Sequence, residues 1–402
     1  MKKYLLLLQE NAILRRLSTI QLIAYFGAWF SNVAIYTLLL NMNVSASVVA
    51  FVAMLHFIAG VVQAPLSGTL IDKLKPKKLM LTLISVEILA TLFLVLIHTT
   101  DDLVLLYILI FFKMAAASFY FTAEMSLLPK VLKANQLQSA NEMHSIIWSF
   151  SYTFGMALSG FFVHYFGVTM AFLLDAFIFI IAFFMLASLK LEVDSLENSE
   201  SLFGMMKESF TYMRANPLAI HLMILHAFVG LTAFDALVAL MVDTYYAGVI
   251  ATALALGLLH SARALGLVFG PMILSKYLTN QFVVYVFVAQ ALAVMLWAYV
   301  MHDFYLSLVA SVLVGFFTTT LWSYTYTLLQ KNIEEKYYGR IVAYNDMLFL
   351  SSAAFTSFMI GFLATHEFSL KTIAAIMGVG FLVGAIYFQW LLKRKNIAEI
   401  ES

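Results

Sequence analysis

Five charged residues stand inside long apolar segments of this sequence, where water cannot reach them. Lys113 and Arg263 are cations, and Glu87, Asp175 and Asp235 are carboxylates. Insertion of one ionisable side chain at the centre of a bilayer costs at least about 2.5–3.5 kcal/mol, so each needs a partner or a function. In membrane proteins such residues mark ion pathways and proton relays. The first chemistry that these residues indicate is therefore reversible proton binding inside a membrane.

Asp235 is the carboxylate that we predict to carry the proton. It lies a little outside the middle of its apolar segment, and Arg263 lies near the middle of the next one. A pair between Asp235 and Arg263 or Lys113 would satisfy both charges, and a proton would break it. The alternative is a permanent ion pair that only holds helices together. Asp175 has the pattern of a packing carboxylate first and of a coupling group second.

Aromatic and hydroxyl-bearing side chains are concentrated near residues 25–36 and 318–327. Ligand pockets are mostly apolar with a few orienting polar groups, so we predict that Trp29, Asn32, Trp322 and Tyr326 contact a substrate. The alternative is structural, because Trp and Tyr form interfacial belts and Ser and Thr mediate helix packing. For His226 and His260, a hydrogen-bonded interior role is favoured over proton relay.

The composition requires a membrane around these residues. Hydrophobic residues make up 63% of the 402 residues, charged residues make up 11%, and the mean hydropathy is +0.93. A soluble domain carries about 25% charged residues. Cys is absent, and the sequence contains neither a GxxxxGK[ST] loop nor an HExxH motif. We therefore expect no enzyme activity, no cofactor and no metal site, and an ion gradient as the source of energy.

Apolar segments long enough to cross a bilayer, which takes about 20 residues, recur along the chain. The predicted fold is an all-α membrane protein with twelve transmembrane helices in two pseudo-symmetric six-helix bundles, at 17–189 and 218–392. Residues 1–16 are predicted as an interfacial segment, 190–217 as a cytoplasmic linker and 393–402 as a cytoplasmic tail. The predicted spans lie near 17–40, 47–71, 79–99, 104–125, 141–163, 169–189, 218–244, 250–274, 281–301, 305–329, 341–365 and 371–392.

The distribution of Lys and Arg predicts the orientation of these spans in the membrane. With twelve spans, 20 of the 23 Lys and Arg residues fall on the side that holds both termini, which predicts cytoplasmic termini and a bacterial inner membrane. The halves also resemble each other, since Asn141-Glu142-Met143 opens the fifth span and Asn345-Asp346-Met347 opens the eleventh, 204 residues later. Parallel six-helix repeats are a transporter architecture.

The loop after the second span carries a motif. Gly68, Asp72 and Lys73 are followed by a cluster of lysines up to Lys78. This pattern resembles the signature loop of the major facilitator superfamily. The resemblance implies that Asp72 faces Gly339 and Arg340 at the start of the eleventh span, in a contact that closes the cytoplasmic side in one state and breaks in the other. Alternatively, the lysines only set orientation and Asp72 is solvated.

Glu124 completes the set of gating candidates. It lies 11 residues beyond Lys113, so the two share a helical face, and Glu124 is the one near the predicted cytoplasmic mouth. It is predicted either as a gate residue or as a solvated residue of the rim, and the rim interpretation is preferred.

A longer stretch, from Phe119 to about Leu189, resembles the branch that holds macrolide efflux proteins and the enterobactin exporter. The matching pieces are Leu127-Leu128-Pro129, Ala140-Asn141, Gly155 to Gly160, Leu174-Asp175-Ala176-Phe177 and Gly339-Arg340. The family's arrangement implies that the first, fourth, seventh and tenth spans line a cavity. It would thereby separate Lys113 and Asp235 from Glu87 and Asp175, which would stand on outer helices.

The predicted function is alternating-access secondary transport, with proton-coupled export of amphipathic small molecules such as drugs or siderophores. An importer or a lipid flippase of the same fold is the first alternative. A non-transporting receptor or scaffold is the second, and the buried charges argue against it. The expected partners are a small-molecule substrate, protons and membrane lipids, with no nucleic acid, and the expected state is a monomer.

Overall fold

The computed structural model describes residues 2–191, 202–334, 337–395 and 397, and these are helical nearly throughout. The all-α prediction is confirmed. The α-helices are α1 (Lys2–Glu10), α2 (Ala12–Asn41), α3 (Ala46–Lys73), α4 (Pro76–Leu94), α5 (Leu103–Val131), α6 (Ala134–Ala187), α7 (Leu202–Ala215), α8 (Pro217–Ala227), α9 (Asp235–Tyr245), α10 (Thr252–Leu274), α11 (Asn280–Val300), α12 (Phe304–Lys331), α13 (Tyr338–Thr365) and α14 (Leu370–Arg394).

Ten helical segments of the described chain are long and apolar enough to cross a membrane. One of them, Ile146–Ala187, contains parts of both the fifth and the sixth predicted span. The third predicted span corresponds to α4, a 19-residue helix that begins with Pro76 at its first turn. Each of the twelve predicted spans therefore coincides with a helical segment.

Gly167 divides α6 into two legs. The helix counts 54 residues, which at 1.5 Å per residue would extend about 80 Å, far more than the roughly 30 Å of a hydrocarbon core. Gly167 has φ 83° and ψ 168°, in a region that side chains with a Cβ atom rarely adopt. The chain turns at this residue, between the fifth and sixth predicted spans.

The seventh predicted span is a broken helix. It consists of α8, a 3-10 segment over Phe228–Thr232, and α9. The break frees backbone groups that lipid cannot satisfy. The Arg263 guanidinium supplies one partner, because its Nη2 donates to the Thr232 carbonyl oxygen at 2.8 Å.

The chain divides into two compact units. The amino-terminal unit comprises Met1–Val44, Ala59–Ser199 and Ala251–Ser261, and the carboxy-terminal unit comprises Ser45–Ile58, Glu200–Ile250 and Ala262–Ser402. In the amino-terminal unit, buried residues of α2, α4, α5 and α6 form a hydrophobic core around Ile20, Met80 and Leu127. The bundle limits at 17–189 and 218–392 stay predictions.

The predicted linker, 190–217, contains the helix α7. Tyr212 of α7 stacks on Tyr337 with ring centroids 4.1 Å apart, and its hydroxyl oxygen accepts from the Glu334 backbone N–H at 3.0 Å. Glu208 pairs with Arg340 at 2.8 Å. The described part of the linker is therefore a helix held against the start of α13 within the carboxy-terminal unit.

Glycines bring α10 and α12 into backbone contact. A Cβ atom on Gly266 would overlap the Val312 carbonyl oxygen, and one on Gly315 would overlap the Arg263 carbonyl oxygen. Small residues at such crossings let membrane helices approach closely. The side chains of larger residues cannot enter without moving the backbone of the neighbouring helix.

We expect Gly315→Val to lower the free energy of unfolding by about 1–3 kcal/mol or more, because the crossing is overpacked. Leu313→Val on the same helix is the control, since Leu313 is 38% exposed and surface changes stay within about 0.5 kcal/mol. Unfolding of the purified protein in detergent measures both. Equal stability of the two variants would contradict the close crossing.

Candidate functional site

A buried ion pair joins the fourth and sixth predicted spans in the amino-terminal unit. The Lys113 ammonium on α5 lies 2.7 Å from the Asp175 carboxylate on α6, and the side chains are 3% and 0% exposed. The same ammonium donates to Thr91 Oγ1 of α4 at 2.7 Å and to Ser31 Oγ of α2 at 3.3 Å. Ser31 in turn donates to Asp175. Four helices thus supply one polar cluster inside an apolar core.

Glu87 is a second buried carboxyl group beside this pair. It is 3% exposed and lies within electrostatic range of both Lys113 and Asp175. Within the described residues it makes no hydrogen bond or ion pair. Asp175 Oδ1 likewise has no hydrogen-bond partner there, and it lies where a Cβ atom on Gly27 would be. The cluster therefore holds one cation and two carboxyl groups.

This arrangement gives Lys113 a partner other than Asp235. Lys113 bonds to Asp175, so these two side chains meet although the family's arrangement places them on different classes of helix. Arg263 donates to Thr232 and lies over the Phe234 ring, 5.3 Å from its centroid. The pairing predicted between Asp235 and Arg263 stays a prediction. The break in the seventh span brings the Thr232 carbonyl oxygen, which also accepts from the Phe234 backbone N–H at 2.8 Å, within reach of the guanidinium.

Glu124 is buried and not solvated. Its exposure is 2%, which overturns the preferred interpretation as a residue of the solvated rim. The phenol groups of Tyr25 and Tyr120 lie within its electrostatic range. Neighbouring helices bury the Glu124 side chain at the end of α5. The spacing of Glu124 from Lys113 in the sequence does not reveal this burial. A gating role for Glu124 stays a prediction.

Trp29 belongs to an aromatic cluster in the amino-terminal unit. Its ring centroid lies 4.6 Å from that of Tyr152 and 5.6 Å from that of Trp148. The Trp148 and Tyr152 rings stack on each other at 5.5 Å. Asn32 is buried nearby along α2, and its Oδ1 atom has no partner among the described residues. The cluster supplies apolar faces and an unused acceptor, as a ligand site needs.

Trp322 and Tyr326 form a second aromatic cluster, in the carboxy-terminal unit. Their rings stack with centroids 4.9 Å apart and an interplanar angle of 17°. The His226 ring of α8 lies 5.7 Å from Trp322, 5.5 Å from Tyr326 and 5.4 Å from Phe349. His226 Nδ1 lies 2.8 Å from Thr325 Oγ1. The hydrogen-bonded interior role expected for His226 agrees with this contact, and His260 is buried as well.

Most of the predicted gating residues fall where the structure is not described in detail. The residues whose surroundings the structure describes do not include Gly68, Asp72, Lys73 and Gly339. The contact predicted for the signature loop therefore stays a prediction. Arg340 is described. It pairs with Glu208 of α7 and lies over the Tyr337 ring, 5.7 Å from its centroid.

Sequence reasoning missed several members of these clusters. Thr91 and Ser31 are short polar residues in apolar helices, and Trp148 and Tyr152 are aromatic residues in a chain that is 15% aromatic. One signal was available, because Thr91 follows Glu87 by four residues and so shares its helical face. Ser31 offered none, since its role depends on which helices meet.

The arrangement can bind and release a proton. One ammonium and two carboxyl groups in a low-dielectric core are electrically neutral when the carboxyl groups share one proton, because an unpaired buried charge is costly. A change of the Lys113 partner from Asp175 to Glu87 would accompany a shift of that proton.

The chain matches the model of the Major Facilitator Superfamily over residues 17–301. No curated protein sequence matches it significantly. Among solved structures, it is similar to the nucleoside transporter NupG, with a TM-score of 0.69, 14% identity, and 95% of this chain and 100% of that chain covered.

Two further structures show the same fold. One is a D-xylose–proton symporter, with a TM-score of 0.73, 11% identity, and 94% of this chain and 96% of that chain covered. The other is a POT family transporter in complex with a thioalcohol-conjugated peptide, with a TM-score of 0.76, 10% identity, and coverage of 95% and 96%. At such identities these similarities establish the fold. With the family match over more than half its length, the chain belongs to the Major Facilitator Superfamily and is a multi-pass membrane transporter, not an enzyme.

Proposed function

We propose that this protein couples an inward flow of protons to the export of amphipathic small molecules by alternating access. The observation that carries the proposal is the Lys113–Asp175 pair with Glu87 beside it. Buried ionisable groups in a transporter are functional by default, since their insertion is costly. The coupling carboxylate that we propose is therefore Asp175, in place of Asp235.

The substrate class follows from the aromatic clusters. Trp29, Trp148 and Tyr152 offer one set of faces, and Trp322 and Tyr326 offer another. Aromatic faces with few polar groups suit a large, mostly apolar molecule. The resemblance to macrolide efflux proteins and the enterobactin exporter supports export of drug-like or siderophore-like compounds. Proton-driven import is the second candidate, since one structure of the same fold is a D-xylose–proton symporter.

The proposed orientation places both termini in the cytoplasm of a bacterial cell, with the protein as a monomer in the inner membrane. The excess of Lys and Arg on one side of the predicted map supports this orientation. The proposed gating residues of the cytoplasmic side are Gly68, Asp72, Lys73, Gly339 and Arg340. Arg263 is proposed as a residue that stabilises the broken seventh span.

The test uses purified protein in vesicles that contain a pH-sensitive dye. A macrolide or a catecholate siderophore is added, and we expect proton movement opposite to that of the substrate. Proton movement in the same direction would assign import. Substrate movement without protons would overturn the coupling and favour a facilitator or lipid flippase. No movement of either would favour a receptor or scaffold.

A further inference from the structure

His226 is buried in a box of side chains on three helices of the carboxy-terminal unit. The His226 box consists of His226 of α8, Trp322, Thr325 and Tyr326 of α12, and Phe349 of α13. The histidine is 0% exposed. Its ring contacts and its hydrogen bond among the described residues are with the other members of the box, and none of these is a carboxylate. A buried imidazolium would carry an uncompensated charge there, so the ring is neutral.

The hydrogen bonds of Thr325 bear on which nitrogen of His226 carries the proton. The Thr325 hydroxyl lies 2.8 Å from the Leu321 carbonyl oxygen and 3.3 Å from the Trp322 carbonyl oxygen, and both of these oxygens only accept. We assign the hydroxyl proton to these carbonyls, so that Nδ1 is the donor in the 2.8 Å contact between His226 Nδ1 and Thr325 Oγ1. In a neutral ring with Nδ1 protonated, Nε2 carries a lone pair and can only accept.

This acceptor is unused. Nε2 of His226 has no hydrogen-bond partner among the described residues, although native proteins pair nearly all of their buried polar atoms. The acceptor also lies among aromatic faces. Trp322 is 37% exposed, so the stacked pair of Trp322 and Tyr326 is the outer edge of the His226 box.

We propose that Nε2 of His226 accepts a hydrogen bond from a hydroxyl or N–H group on an aromatic ring of the transported molecule, with Trp322 and Tyr326 as the stacking faces. The inference rests on the proposed function and adds a specificity rule to it. A site built to pair with a donor discriminates strongly against an analogue without one, because its own polar atom is then left unpaired. The transported molecule is thus an aromatic alcohol or amine, and the corresponding methyl ether is a poor ligand.

Binding of umbelliferone and of its methyl ether tests this rule without any need for transport. The two planar probes differ by one hydroxyl proton, and mildly acidic buffer keeps that proton in place. Full-length protein in lipid nanodiscs is dialysed against each probe, with empty nanodiscs as the background. For the unmodified protein we expect umbelliferone to bind about 10-fold more tightly, the factor that one buried hydrogen bond supplies.

Three variants separate the role of His226 from general effects. His226→Phe keeps a ring but removes the acceptor, so the two probes should bind about equally. Thr325→Val keeps the imidazole but removes the acceptor of Nδ1, and the preference for umbelliferone should fall because the ring is no longer oriented. His221→Phe is the matched control, since His221 also lies on α8 and is bonded to Tyr387 at 2.7 Å. This variant should keep the full preference.

An unchanged preference in both His226→Phe and Thr325→Val overturns the proposal. So does a failure of both probes to bind the unmodified protein, or equal binding of the two. If His226→Phe does not fold, the result for Thr325→Val decides. A normal preference together with an absence of proton flux in vesicles would reject the proposed function and leave the assignment of His226 intact.

Discussion

Asp175→Asn should abolish substrate-driven proton flux in reconstituted vesicles, down to the level of protein-free vesicles. The amide keeps the shape of the carboxyl group and can still bond to Lys113 and Ser31, but it cannot take up a proton. Asp101→Asn is the matched control, because Asp101 is an exposed carboxylate on the 3-10 turn before α5. This variant should transport protons as the unmodified protein does. The internal pH dye records both.

Glu87→Gln distinguishes an exchange of partners from a fixed ion pair. If Lys113 changes between Asp175 and Glu87, proton flux should also be lost in Glu87→Gln. A purely structural Lys113–Asp175 pair would leave the flux of Glu87→Gln intact.

Asp235→Asn completes the series. Loss of flux in Asp235→Asn with normal flux in Asp175→Asn would return the coupling role to Asp235.

Lys113→Met should lower the free energy of unfolding by about 3–5 kcal/mol, the usual cost of removing one partner of a buried ion pair. The loss arises because the Asp175 carboxyl group is left in an apolar core without its cation, where it either stays charged or must take up a proton, with Ser31 as its remaining hydrogen-bond donor. The double variant Lys113→Met with Asp175→Asn should recover most of the loss, since no charge of the pair is then left. Chemical unfolding in detergent measures all members of the cycle.

Lys371→Met is the control for loss of a lysine as such. Lys371 is exposed and lies over the Tyr299 ring at 4.8 Å from its centroid, a contact worth at most about 1 kcal/mol. A double variant that is no more stable than Lys113→Met would show that Asp175 does not depend on Lys113 for its charge balance.

The helical spans of this protein are local properties of the chain, whereas the contacts inside the membrane depend on helix packing. Each predicted span coincides with a helical segment, because burial of a backbone in lipid forces helix formation wherever about 20 apolar residues follow one another. The turn at Gly167 falls between two predicted spans, because the chain must reverse direction after about 20 residues have crossed the bilayer. The signature loop from Gly68 to Lys78 identified the superfamily from a handful of residues.

The breaks and partners inside the membrane were not predictable in this way. The broken helix at Phe228–Thr232 contains no charged residue, so hydropathy does not distinguish it from a continuous span. The Thr232 carbonyl oxygen at this break accepts a hydrogen bond from Arg263, a contact that the sequence did not predict. Burial of Glu124 depends on side chains from other helices, which the spacing from Lys113 does not reveal.

The sequence by itself determined that this chain is a helical membrane protein of the Major Facilitator Superfamily and which few residues carry charge into the bilayer. Only the tertiary structure decided how those residues pair, namely Lys113 with Asp175 and Arg263 with a backbone carbonyl. It also decided that His226 faces Trp322 and Tyr326. The physical reason is that hydropathy reports the transfer of each segment into lipid, whereas ion pairs and hydrogen bonds act over a few ångströms between helices far apart in the chain.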